Sequence, residues 1–66
     1  MKIHFNIHYH TEPGQNIRIC GSLKELGNWD IAHAFALNYS LDGHWSASID
    51  IPEEPPLVEY KYVILD

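Results

Sequence analysis

One tryptophan falls outside the repeating pattern of apolar residues in this chain. Trp29 follows Gly27 and Asn28 and precedes Asp30, so a glycine-containing turn is expected to present its ring. An indole has a flat apolar face with negative quadrupole potential, which complements the flat apolar C–H face of a pyranose ring. Covering ~100 Å² of apolar surface in this way contributes ~2.5 kcal/mol. The alternative interpretation is that Trp29 packs beneath its own loop as a small satellite core.

Stacking on one ring is not enough for a millimolar sugar site, which needs about 4 kcal/mol. Hydrogen bonds to sugar hydroxyls must contribute the remainder. Asn28 adjoins the tryptophan, and Lys61 carries an ammonium group with several donors. We therefore take Trp29, Asn28 and Lys61 as candidate sugar-binding residues.

The histidines are the second group of residues with chemical potential. His4, His8 and His10 are predicted to share the polar face of the first strand, and imidazoles spaced as in His8 and His10 could both ligate a metal ion. No carboxylate or cysteine stands beside them in the sequence. A solvated strand face is the simpler interpretation, and we predict neither a metal site nor a cofactor.

Residue patterns typical of catalysis are absent from the sequence. It contains no Gly-x-Ser-x-Gly, no phosphate-binding loop and no His-Glu-x-x-His. Glu53 and Glu54 stand between prolines, as expected of a solvated loop. Glu25 and Asp30 lie near Trp29 in sequence, but nothing in the sequence raises their pKa. We predict that the chain is not an enzyme by itself and has no catalytic residue.

Composition and charge limit the partners. The 66 residues suffice for one small domain, and four Lys and Arg against nine Asp and Glu give a formal net charge of −5. Nucleic acid and anionic membranes are therefore poor partners. Cys20 is the single cysteine, so no internal disulfide forms, and a lone thiol fits a reducing compartment. The residues after Met1 lack the apolar region of a signal peptide, so we expect a cytoplasmic protein.

Alternation of apolar and polar residues predicts the elements that position these side chains. A turn is expected at 12–16, a hairpin at Asp42-Gly43, and a helical turn capped by Ser22 and ended by Gly27. Short strands at this spacing are typical of an antiparallel β-sandwich. Two short strands are predicted at residues 17–20 and 35–37. In the other three strands the residues on the apolar face are Ile3, Phe5, Ile7 and Tyr9 in the first, Trp45, Ala47, Ile49 and Ile51 in the fourth, and Val58, Tyr60, Tyr62 and Ile64 in the last.

Several motifs, taken in order, resemble those of carbohydrate-binding module family 20, the starch-binding domains. The resemblance runs from end to end of the chain and implies an all-β, immunoglobulin-like antiparallel β-sandwich. It covers about the first two-thirds of such a sandwich of roughly 100 residues, so we expect the C-terminal strands to be missing and the sheet edges to be open. The motifs are Pro13-Gly14-Gln15-Asn16, Gly21-Ser22-x3-Leu26-Gly27-Asn28-Trp29-Asp30, Trp45 and Glu59-Tyr60-Lys61-Tyr62.

The resemblance also implies site residues. The first glucan site of the family uses the tryptophan and lysine that correspond to Trp29 and Lys61, together with a second tryptophan that would follow residue 66. The second site uses a tyrosine where this chain has Pro13 and another for which Tyr39 is the nearest candidate. Trp45 and Tyr60 correspond to core positions of the family.

The function implied by the resemblance is non-catalytic binding of α-1,4-glucans such as starch, glycogen, maltooligosaccharides and cyclodextrin. Such modules are linked covalently to glucan-active enzymes. A module that begins at Met1 looks like the amino-terminal end of a cytosolic disproportionating 4-α-glucanotransferase. The alternative from a different class is a protein-interaction module, in which open sheet edges pair with another chain or with a second copy and Trp29 is a hot spot.

Overall fold

The computed structural model describes residues 1–52 and 57–66. All strand pairs in this part of the chain are antiparallel, and they form two three-stranded sheets of order β1-β5-β4 and β3-β2-β6. The strands are β1 (Lys2–His8), β2 (Asn16–Gly21), β3 (Phe35–Ala36), β4 (Asn38–Ser40), β5 (His44–Asp50) and β6 (Tyr60–Leu65), with 3₁₀ turns at Lys24–Leu26, Ile31–His33 and Leu41–Gly43.

The predicted all-β antiparallel fold is thus confirmed. Across the two described ranges the helical segments are short 3₁₀ turns, and none has the length and hydropathy to cross a membrane. Glu53 and Glu54, predicted to lie in a solvated loop, are outside the described residues.

The hydrophobic core lies between the two sheets because each sheet directs one face of its alternating strands inward. Strand β5 shows the pattern most clearly: Trp45, Ala47 and Ile49 are buried and the residues between them are exposed. Phe5 of β1 and Ile17 and Ile19 of β2 complete the central cluster, with Leu26, Leu37 and Ile51 beside them. The inward residues predicted for β1 at Phe5 and for the whole of β5 are confirmed.

The predicted hairpin at Asp42-Gly43 is also confirmed. A three-residue loop, Leu41–Gly43, joins β4 to β5, whose register pairs Ser40 with His44. Asp42 and Gly43 have φ angles of 64° and 76°, a left-handed conformation that Asp and Gly tolerate better than most residues.

Two aromatic residues expected in the core are not buried, although Tyr60 lies on the predicted face of β6, the face that Tyr62 shares with its partner Ile19. Tyr60 is 46% exposed, although its ring still makes an edge-on contact with Phe5 at 5.1 Å between centroids. The reason is its position on β6, which forms the edge of its sheet among the described strands, so neighbours cover only one side of the ring. Tyr9 is exposed as well, because β1 ends at His8 and the two-residue repeat ends with it.

The helical turn after β2 ends as predicted but begins differently. Gly27 closes it in the left-handed conformation, with its N–H bonded to the Lys24 carbonyl. Ser22 is not its cap. Instead, the Ser22 Oγ accepts a hydrogen bond from the Glu59 N–H at 3.1 Å, and the Ser22 N–H donates to the Glu59 carbonyl at 2.8 Å. This reciprocal pair fixes the loop after β2 to the residue before β6.

Gly21 lies where these segments meet, and the first prediction concerns it. A Cβ at this position would stand 2.4 Å from the Glu59 carbonyl oxygen and 2.8 Å from Leu26 Cδ1. Gly21→Ala should therefore destabilise the fold by roughly 1–3 kcal/mol, as overpacking does, and lower the midpoint of thermal unfolding. Gly14→Ala is the control, since a Cβ there meets no atom within 4 Å and only its positive φ opposes the change. A midpoint equal to that of the wild type in Gly21→Ala would contradict this packing.

Candidate functional site

A loop after the first 3₁₀ turn presents Trp29. Gly27, Asn28 and Trp29 follow one another with φ angles of 89°, 50° and 66°. Left-handed backbone costs an ordinary residue about 1–2 kcal/mol, so the loop keeps this shape only because other contacts impose it. Such a run turns the chain sharply at Trp29.

Backbone hydrogen bonds provide those contacts. The Trp29 N–H donates to the Gly21 carbonyl at 2.9 Å, at the end of β2. The Asn28 N–H donates to the Leu23 carbonyl at 3.1 Å. Leu26, which is fully buried, holds the base of the loop in the core. The tryptophan is thus attached to the sheet through its own backbone.

The Trp29 ring remains accessible. Its side chain is 48% exposed and is not part of the buried cluster, so the interpretation of a satellite core beneath the loop does not describe this structure. Asn28 and Asp30 on either side are exposed too. With Ile31, which is also exposed, the loop offers an apolar surface bordered by polar groups.

Lys61 lies on the strand that adjoins this loop. It is exposed and pairs with Cys20 of β2, one residue before the Gly21 carbonyl that binds Trp29. Paired residues of antiparallel strands direct their side chains to the same face, so Lys61 and Cys20 share the face opposite Ile19. Cys20 is buried on that face. The structure therefore brings Trp29, Asn28 and Lys61 to the same end of the β2-β6 pair.

Sequence reasoning missed the pair formed by Asp30 and His33. The Asp30 Oδ1 accepts from the Ala32 N–H at 3.0 Å, and Oδ2 accepts from His33 Nδ1 at 2.9 Å. These bonds hold the pKa of the exposed Asp30 carboxyl below its ordinary value of 3.8, with the His33 hydrogen bond as the main cause and the Ala32 bond next. Asp followed three residues later by His in a short turn is the signal that could have indicated the pair.

Tyr39 is on the other sheet, in a separate groove. Its ring is 58% exposed and packs edge-on against buried Trp45 with 5.0 Å between centroids. Its hydroxyl accepts a hydrogen bond from the Gly43 N–H at 3.3 Å. The two aromatic residues form one wall of a groove of about 450 Å³, and the 10–15 turn, with Pro13, forms the other. Tyr39 and Trp29 are therefore presented by different sheets.

The predicted polar face of β1 holds for His4 and His8 and is wrong for His10. Strand β1 ends at His8, and His10 follows a residue that already bonds to the hairpin through its N–H to the Gly43 carbonyl. Across residues 1–52 and 57–66, no three or more His, Cys, Asp or Glu residues cluster closely enough to hold a metal ion.

Comparison with known proteins now gives the family. A sequence model of the starch binding domain family, CBM_20, matches residues 1–66. The chain belongs to this family. The resemblance carried by the 21–30 and 59–62 motifs is thereby confirmed.

The chain matches short segments of much longer relatives. It is 36% identical over 58 residues to Glucoamylase-1 of Schizophyllum commune, covering 88% of the chain and 10% of that protein. It is 37% identical over 62 residues to an alpha-amylase of Streptomyces violaceus, and the match covers 94% of the chain and 11% of that protein. Starch-binding domain-containing protein 1 of Homo sapiens is 34% identical over 67 residues, with 100% and 18% covered. The chain spans less than a fifth of each relative.

The second prediction tests whether Asp30 holds the loop that presents Trp29 in shape. Asp30→Ala removes the acceptor for both the Ala32 and the His33 hydrogen bonds. The Trp29 side chain should therefore become more mobile, and the order parameter of its indole N–H, measured by nuclear magnetic resonance relaxation, should fall. Asp30→Asn is the matched variant, because its amide oxygen can still accept a hydrogen bond from the Ala32 N–H. Its Trp29 side chain should be less mobile than that of Asp30→Ala.

The pH dependence follows from the lowered pKa of Asp30. The ionised carboxylate stabilises the loop fully above its unfolded-state pKa near 3.8, and this contribution disappears as the pH falls through the lower folded-state pKa. The mobility of the Trp29 side chain should therefore differ between wild type and Asp30→Asn at pH 6, and the two values should become equal in strongly acidic solution. A difference that persists unchanged in acid would contradict a role for the ionised form.

Proposed function

We propose that this chain binds starch-type α-1,4-glucans without cleaving them, and that Trp29 is the surface on which a glucose ring stacks. The observation that carries the proposal is the exposed indole on a loop tied by the Trp29 N–H to the end of β2, in a chain of the starch binding domain family. Asn28 and Lys61 donate hydrogen bonds to the hydroxyls at the edge of the stacked ring.

The strained backbone of the loop favours such a site. The left-handed conformations at Asn28 and Trp29 are established when the protein folds, so a ligand meets a surface that is already shaped. Binding then loses little of its free energy to ordering side chain or loop. An α-1,4-glucan curves, and successive rings of a curved chain can lean on a small platform such as a single indole.

The charge distribution fits an uncharged polymer. The chain carries a net charge of −5, and the pair Asp30 and His33 stands beside the platform. An anionic ligand would be repelled over most of the surface. A neutral glucan experiences no such repulsion, and its hydroxyls can accept from Lys61 and donate to nearby carbonyl and carboxylate oxygens.

Weak binding of this kind is useful when the module is part of a larger protein. Linkage raises the effective concentration of substrate around an attached enzyme without any new contact in its active site. The relatives named glucoamylase, alpha-amylase and cyclomaltodextrin glucanotransferase support a covalently linked, glucan-active enzyme as the partner here. A 4-α-glucanotransferase is the enzyme we propose within that class.

Replacement of Trp29 is the third prediction. Trp29→Ala should weaken binding to β-cyclodextrin or maltoheptaose on the order of 50-fold, which corresponds to loss of ~2.5 kcal/mol of stacking, measured by calorimetry. Trp29→Phe should retain part of the affinity. Leu41→Ala is the control and should leave this affinity unchanged, because Leu41 is an apolar residue that is 82% exposed but lies on the hairpin of the other sheet. Wild-type affinity should also change little with salt.

Unchanged affinity in Trp29→Ala would contradict the stacking mechanism. The protein-interaction alternative would be favoured if the solution mass of that variant also rose with protein concentration, both with and without maltoheptaose. The exposed edge residues Tyr60 and Ile64 of β6 would then be the contact surface to test.

Tyr39 is proposed as part of a second, weaker glucan surface, and this is the fourth prediction. Its exposed ring beside the 10–15 turn offers a sugar one apolar wall, while Pro13 occupies the place of the family's other tyrosine. Tyr39→Ala should leave binding at Trp29 intact and remove a second, weaker phase of maltoheptaose titration followed by nuclear magnetic resonance shifts of the Gly14 and Gly43 amides. Shifts that persist in the variant would exclude Tyr39.

A further inference from the structure

Two histidines face each other on neighbouring strands of the β1-β5-β4 sheet. His8 of β1 and His44 of β5 are directly paired in the antiparallel register, and their imidazole rings stack with centroids 4.6 Å apart and an angle of 26° between planes. Both residues are exposed. They line a groove of about 290 Å³ together with Asn6, Ser40 and Ser46.

The hydrogen bond made by His8 fixes its tautomer. His8 Nε2 lies 2.6 Å from the Asp42 carbonyl oxygen, which can only accept. Nε2 therefore carries the hydrogen, and in the neutral ring the lone pair is on Nδ1. A ring nitrogen donating to a backbone carbonyl while the other nitrogen keeps its lone pair is the arrangement typical of histidines that bind metal ions.

We propose that His8 and His44 together bind a divalent transition-metal ion through one nitrogen of each ring. Two imidazole nitrogens bound to one ion at 2.0–2.1 Å stand about 3.3 Å apart in tetrahedral geometry. The strand register places the ring centroids 4.6 Å apart, and side-chain rotation out of the stack turns one nitrogen lone pair of each ring toward a shared ion. The site lies on a different sheet from Trp29 and does not depend on the glucan function.

The donor set determines which ion binds. Neutral imidazole favours Cu²⁺, Ni²⁺ and Zn²⁺, whereas Mg²⁺ and Ca²⁺ prefer oxygen. Because the described residues contain no group of three or more potential His, Cys, Asp or Glu ligands, water fills the remaining positions. Affinity should follow the usual order for these ions, with Cu²⁺ bound more tightly than Ni²⁺ or Zn²⁺.

His4 shows what a histidine on the same sheet face looks like without a partner ring. It is paired with Ser48 in the same strand register and is hydrogen-bonded to the Ser48 hydroxyl at 2.6 Å. One imidazole opposite a serine offers a single nitrogen ligand. His4 is therefore a matched internal control for the His8 and His44 pair.

The test is titration of the protein with CuCl₂, NiCl₂ or ZnCl₂ alone, followed by calorimetry, with MgCl₂ as the negative control. We expect one saturable site for each transition metal, a higher midpoint of thermal unfolding when it is filled, and no response to Mg²⁺. His8→Ala and His44→Ala should each weaken binding at least tenfold, while His4→Ala and His10→Ala should not change it.

Nuclear magnetic resonance of the imidazole nitrogens gives a second readout, in which the ligand nitrogen of His8 should be Nδ1. His8→Gln and His44→Gln serve if an alanine variant fails to fold. The proposal is overturned if wild type shows no saturable binding, if His4→Ala weakens binding as much as His8→Ala, or if His10→Ala abolishes it while His44→Ala does not.

Discussion

The hydrogen bond from the Trp29 N–H to the Gly21 carbonyl connects the site to the fold. It joins the loop to the last residue of β2, the central strand of the β3-β2-β6 sheet. Without it, three successive left-handed residues would relax to ordinary backbone, because each non-glycine among them is otherwise disfavoured. The same segment is attached to β6 by the reciprocal bonds of Ser22 and Glu59. The positions of Trp29 and Lys61 are therefore set by one group of backbone contacts, namely the Trp29–Gly21 bond and the Ser22–Glu59 pair.

The parts of the fold that sequence predicted are those governed by local repeats. Trp45, Ala47 and Ile49 alternate with polar residues, and β5 is paired on both edges by β1 and β4, so its apolar face is covered along its whole length as the pattern assumes. The Asp42-Gly43 hairpin depends only on which residues tolerate positive φ. Tyr60 follows an equally clear alternation and is exposed, because the number of neighbours on an edge strand is a tertiary property that a two-residue period does not encode.

The candidate site was likewise predictable only in part. Trp29 could be selected because it broke the periodicity, and the family motif supported Lys61. Neither the position of Lys61 beside the strand end that holds Trp29 nor the left-handed loop follows from residue spacing. Asp30 and His33 meet only because a 3₁₀ turn forms between them. His8 and His44 are far apart in sequence and meet only through strand register, which a single-residue shift would change. Contacts that depend on register or on edge position therefore require the structure.

Placement on two sheets separates the roles of the aromatic residues. Trp45 gives its ring to the core and its Nε1–H to the Tyr9 carbonyl at 3.3 Å, so Tyr39 stands against a wall that cannot move without disturbing the core. Trp29 projects from a loop instead, and its rigidity comes from backbone strain held by hydrogen bonds. A small domain has few buried residues from which to build a deep pocket. Presenting a flat ring on a constrained turn needs no enclosed volume, so the proposed binding of a polymer at Trp29 is within reach of a thin pair of sheets.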